Sequence, residues 1–192
     1  MTETRRSLIF LPFAGLCSAL FGALLLRHNL VSLLNGLIFG LSLGIYFAVS
    51  RHNKAKIAIF VLICALALPV AFICVVVMQV FVIHSAGWDL TPISSLISTR
   101  ALFVGGFVGS FSVLVSGLSC CGFTNWNWKA LSDLFVWSIC LGFLAVACVH
   151  AFGVSRAMSG PNFPALLVVW EPSIALALAF LLRRVEKAST VP

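Results

Sequence analysis

The stretch that decides the fold is Pro164–Leu182, PALLVVWEPSIALALAFLL. It is apolar throughout except around Glu171, and as a helix it would be about 28 Å long, close to the ~30 Å hydrocarbon thickness of a bilayer. That length reads as a membrane span with one polar point inside it. An ionised carboxylate in hydrocarbon is costly, so Glu171 has to pair, take up a proton or face a polar cavity. The next residue, Pro172, has no N–H to donate and loosens the carbonyl one turn earlier, near Val168. Irregular backbone of that kind lines many transporter sites.

Other apolar runs lead to the same reading. With this one they cover about 8–26, 30–50, 57–83, 101–122, 132–152 and 164–182. The 192 residues are 61% hydrophobic and 9% charged, against about 25% charged in soluble domains, so there is too little charge to coat a water-facing surface. The expected fold is all-α, a polytopic bundle of six transmembrane helices forming a single integral-membrane domain over 1–192.

The net charge of +7 is spread singly or in small groups between the runs, as in topology determinants rather than a nucleic-acid surface. With the N-terminus inside and six crossings, the inner side receives Arg5, Arg6, Arg51, Lys54, Lys56, Lys129, Arg183, Arg184 and Lys187. The outer side receives only Arg27, Arg100 and Arg156. This bias predicts that both termini are cytoplasmic, and the location expected is a bacterial inner membrane. Thr4-Arg5-Arg6-Ser7 resembles a twin-arginine signal, but no A-x-A cleavage site follows, so the first helix is expected to be retained.

Small residues predict how the helices pack. Gly36, Gly40 and Gly44 recur every fourth residue on one face of the second run, where another helix can approach backbone to backbone. Gly15, Ala19 and Ala23 give the first run a light face, and Gly105 and Gly109 begin another on the fourth. Pro69 is expected to kink the third run. Between the third and fourth runs, 91–99 fits a short amphipathic helix on the outer interface, with Trp88 as its anchor. Trp126 and Trp128 beside Lys129 fit an inner aromatic belt, and Ser132 reads as the cap of helix 5 with Asp133 in its first turn.

On this topology the strongly polar groups gather in the outer half. Glu171 lies about two turns into the last helix, Asn35 about one and a half turns into the second, and Gln79 about a turn below His84. The expectation is an outward-facing polar site for a small solute or ion, with Glu171 at its floor, Asn35 and Gln79 on its walls and Trp170 near its mouth. The competing expectation is a packing lock in which Glu171 hydrogen-bonds Gln79, Asn35 or Arg156.

Several chemistries have little support. His28, His84 and His150 fall at separate helix ends without HxxxH or HxxE spacing, so neither metal nor haem is expected. The seven Cys form no CxxC and read as packing residues. There is no GxSxG, P-loop or HExxH, and Asp133 and Glu171 fall at opposite sides, so no catalytic residue or cofactor is expected. In size and layout the chain resembles the substrate-binding subunits of energy-coupling-factor vitamin transporters. That resemblance is architectural and implies no residue roles. The function expected is a transport or channel-type component. The alternative is a non-catalytic membrane subunit or assembly factor, binding a membrane partner or a second copy through its glycine faces.

Overall fold

The structure is a computed structural model and describes residues 3–25, 32–50, 53–85, 99–121, 123, 128–151 and 163–189. They form six helices: α1 Glu3–Leu25, α2 Ser32–Val49, α3 Lys54–Ser85, α4 Thr99–Cys120, α5 Trp128–Ala151 and α6 Phe163–Ser189. Each apolar run is the body of one helix. The interfacial helix expected over 91–99 lies outside the described residues apart from Thr99, which begins α4.

Capping and neighbours account for ends that differ from the apolar runs. Asn53 starts α3 early, its Oδ1 accepting the Ala55 N–H at 2.9 Å. α5 begins at Trp128, so Ser132 lies inside the helix rather than capping it. Asp133 is correspondingly explained by a partner rather than by a helix start: it pairs with Arg184 of α6. Arg184 is 60% exposed, and exposed pairs contribute at most about 1 kcal/mol. Arg184→Ala is therefore expected to shift unfolding by less than ~1 kcal/mol, measured by thermal denaturation in detergent.

The side-chain contacts fix an up-and-down order. Phe10 of α1 meets Tyr46 near the end of α2, with ring centroids 5.7 Å apart. Phe47 of α2 meets Phe60 near the start of α3 at 5.1 Å. On α4, Phe103 contacts Phe143 at 4.8 Å and Phe111 contacts Phe135 at 5.4 Å. Trp137 of α5 stacks on Phe180 of α6 at 5.8 Å. In the pairs Phe10–Tyr46, Phe47–Phe60, Phe103–Phe143 and Trp137–Phe180 the earlier part of one helix meets the later part of its neighbour, and Gly105 and Gly109 of α4 meet Val75 and Ala71 of α3 in reversed order, so neighbours are antiparallel. α6 closes the ring against α1 and also touches α4 through the middle of the bundle. The start of α1 and the end of α6 consequently lie at the same end of the molecule.

The glycine rows make these approaches possible, and they are used within the chain. A Cβ at Gly36 would run into the Cys64 carbonyl oxygen and lie 3.0 Å from Ala65 Cα; one at Gly40 would lie 3.0 Å from Val61 Cα. At Gly44 it would meet Val61 and Ile57 side chains at 3.2 and 3.4 Å. The α2 row therefore seats on α3. The light face of α1 meets α6 instead, where a Cβ at Gly15 would lie 3.1 Å from both Pro172 Cα and Ala175 Cβ. Gly105 seats on Ala71 and Val75 of α3.

Outside this core the surface is apolar. Phe13, Ile45, Leu62, Phe81 and Phe143 are among many large hydrophobic side chains exposed on the helices. Soluble monomers rarely expose apolar surface so continuously. Among the described residues, three helices, α3, α4 and α5, are long and apolar enough to cross a membrane. α1 and α2 carry shorter apolar stretches, Leu8–Phe21 and Leu34–Val49. These features mark a membrane-associated helical protein.

Candidate functional site

Among the described residues, buried polar side chains fall into two groups. Ser110, Ser116 and Ser138 each donate to a carbonyl of their own helix, at 2.7, 2.9 and 2.9 Å. Such back-bonds satisfy a hydroxyl locally and carry no long-range information. The others are Ser18 of α1, Asn35 of α2 and Glu171 of α6. Asn35 Nδ2 donates to Glu171 Oε1 across 136 positions of sequence. The two residues are 1% and 3% exposed, so the bond is shielded from competing water. Ser18 stands close enough to the carboxyl to interact with it, without completing a hydrogen bond to it.

Local backbone explains how these side chains meet. Asn35 precedes Gly36, and the contact of Gly36 with Cys64 and Ala65 draws the start of α2 tightly onto α3. On α1, Gly15 comes within reach of the Glu171 carbonyl, where a Cβ would lie 3.2 Å away, and Ser18 follows three positions later. Trp170, beside Glu171, is buried with its ring against Gly109 of α4, where a Cβ would lie 3.1 Å from the indole. Gly15, Gly36 and Gly109 thus let three helices close around one point.

Prolines converge there too. Pro69 lies inside α3 and Pro172 inside α6. Lacking an N–H, each leaves the carbonyl four residues earlier, at Ala65 and Val168, without its usual helical donor. Both helices nevertheless run on through their prolines. Beside Pro172, the Ser173 hydroxyl donates to Val169 at 2.7 Å, a bond that favours local bending.

A small chamber lies at this junction. Its lining includes Asn35, Cys64, Leu68, Val113, Trp170 and Glu171, with ≈ 10 Å³ open to the centre of a water-sized sphere. That is space for about one water, whereas pockets for small organic ligands run to about 300 Å³ or more. Of the small solute or ion expected at an outward-facing polar site, this space has room only for something of water or ion size, with Phe39, Leu68, Val113 and Ile174 among its walls.

The expected site residues separate accordingly. Asn35, Trp170 and Glu171 come together, but Trp170 is a buried wall rather than a mouth. Gln79 does not join them: it is half-buried on α3, eleven residues and about 16 Å along the helix from Leu68. Arg156 lies outside the described residues. Ser18 is the member that sequence reading missed; serines are common in these helices, and nothing in the chain singles it out. Among the described residues no cluster of His, Cys, Asp and Glu could hold a metal ion. All seven cysteines are free.

No family model matches the chain, and no curated protein or solved structure matches it. The chemistry of the site therefore rests on its own geometry.

Proposed function

We propose that this chain is a six-span inner-membrane protein with both ends in the cytoplasm. In this reading it acts as a transport or channel-type component, whose Glu171–Asn35 centre handles a proton or another single small ion reached from the outer side. The observation that carries the reading is the buried Asn35–Glu171 bond, which joins α2 to α6 next to Pro172. Intramembrane acids facing a bundle interior ordinarily mark ion or proton pathways. The size of the chamber favours an ion over a larger solute.

The alternative role as a partner-binding subunit has less support. The glycine faces that it would use, on α2 and α4, are occupied by α3, α5 and α6 of the same chain.

The test is reconstitution of purified protein into liposomes under an imposed ion gradient, with separate dyes reporting protons, sodium and potassium. Flux of one of these above that of protein-free vesicles is expected, and Glu171→Gln is expected to reduce it at least 10-fold. Equal flux in the wild type and the variant would reject the assignment.

A further inference from the structure

Among the described residues, three that line the chamber each carry a buried polar atom with no hydrogen-bond partner: the Trp170 indole Nε1, Asn35 Oδ1 and Glu171 Oε2. Each of the three residues is more than nine-tenths buried. Trp170 offers a hydrogen, while Asn35 Oδ1 and the carboxylate oxygen accept one. A water has lone pairs for the first and two O–H groups for the others, so one molecule matches the whole set. The available space is also about that of one water.

A metal cation matches the set poorly. It would find two acceptor oxygens but would face the positive end of the Trp170 N–H. Its remaining coordination positions would fall toward Phe39, Leu68, Val113 and Ile174, which supply none of the oxygens that hard cations require.

We infer that the chamber binds a single water between Trp170, Asn35 and Glu171, and that the ion handled there is a proton passed between this water and the Glu171 carboxyl. The step is balanced without redox chemistry. Hydronium gives a proton to the carboxylate, leaving water and a neutral carboxylic acid, and the reverse step restores both. The groups facing Glu171 are Ser18 from α1, Asn35 from α2 and the Cys64 thiol from α3; α4 contributes Val113 and the Gly109 backbone beside Trp170. Among the described residues lining the chamber, only Glu171 and Cys64 can titrate. The inference rests on the functional reading above, since it names the ion at that site.

Infrared difference spectroscopy between acidic and alkaline buffer tests it, using the protein in lipid nanodiscs and comparing ordinary with heavy-oxygen water. A water O–H band that shifts in heavy-oxygen water is expected in the wild type and should be lost in Trp170→Phe, which keeps an aromatic side chain and removes the donor. A protonated-carboxyl band should be lost in Glu171→Gln and retained in Cys64→Ala. The inference is overturned if no isotope-sensitive band occurs, if that band survives in Trp170→Phe, or if added sodium at fixed pH removes the carboxyl band. Proton flux in liposomes without the water band would reject this inference alone. The band without flux would reject only the transport reading.

Discussion

Gly36→Leu is expected to abolish the folded protein. At this position a Cβ would strike the Cys64 carbonyl oxygen and lie 3.0 and 3.1 Å from the Ala65 Cα and carbonyl oxygen. These are backbone atoms of a helix held on its other side by α4, so no rotamer change relieves them. Overpacked cores ordinarily lose about 1–3 kcal/mol, and a backbone collision belongs at or above that upper end. Total stability is only about 5–15 kcal/mol. The expected observation is loss of the monodisperse species in size-exclusion chromatography after detergent extraction. Gly44→Ala supplies the contrast, because its Cβ meets only side-chain methyls of Val61 and Ile57 at 3.2 and 3.4 Å; it should cost less than about 1 kcal/mol. Equal effects at the two positions would contradict the α2–α3 packing.

Asn35→Leu is expected to produce the second-largest loss. It removes the hydrogen bond that Glu171 Oε1 receives and leaves a buried carboxyl group facing hydrocarbon. Stranding a buried polar group costs about 1–3 kcal/mol, and more for a charged one. A loss of about 3 kcal/mol is expected by thermal denaturation in detergent. The double variant Asn35→Leu/Glu171→Leu removes both polar groups and should recover more than half of that loss. A double variant no more stable than Asn35→Leu alone would show that the pair does not carry the coupling assigned to it.

Sequence reading reached the helices because an apolar run long enough to cross a bilayer can satisfy its backbone only as a helix. It also located Glu171, since an acid in such a run is conspicuous. It placed Asn35 at a similar depth, and the glycine spacing on α2 anticipated a close helix approach. What it could not supply was rotation and the axial register between helices. Gln79 seemed to share the polar layer because depth was counted from its own helix end, yet α3 runs 32 residues, and its stretch at the chamber is Cys64–Leu68. Trp170 is apolar enough for lipid, so its inward face became clear only from its contact with Gly109. Asp133 looked complete as a residue of a helix start, whereas the antiparallel pairing of α5 and α6 brings it to Arg184. Trp170 and Asp133 differ because a hydropathy profile says little about azimuth, which neighbouring side chains decide; Gln79 differs because the profile does not fix how far one helix is shifted along its axis against the next.

On the proposed function Glu171 acts as an ionisable group and not only as a packing lock. The most direct measurement is flux and thermal stability on one preparation of Glu171→Gln. Glutamine keeps the shape and an acceptor oxygen for Asn35 Nδ2, but cannot carry an exchangeable acid proton. The expected result is an unfolding free energy within about 1 kcal/mol of the wild type, together with proton flux reduced to the level of protein-free liposomes. Undiminished proton flux in the folded variant would contradict an ionisable role for Glu171.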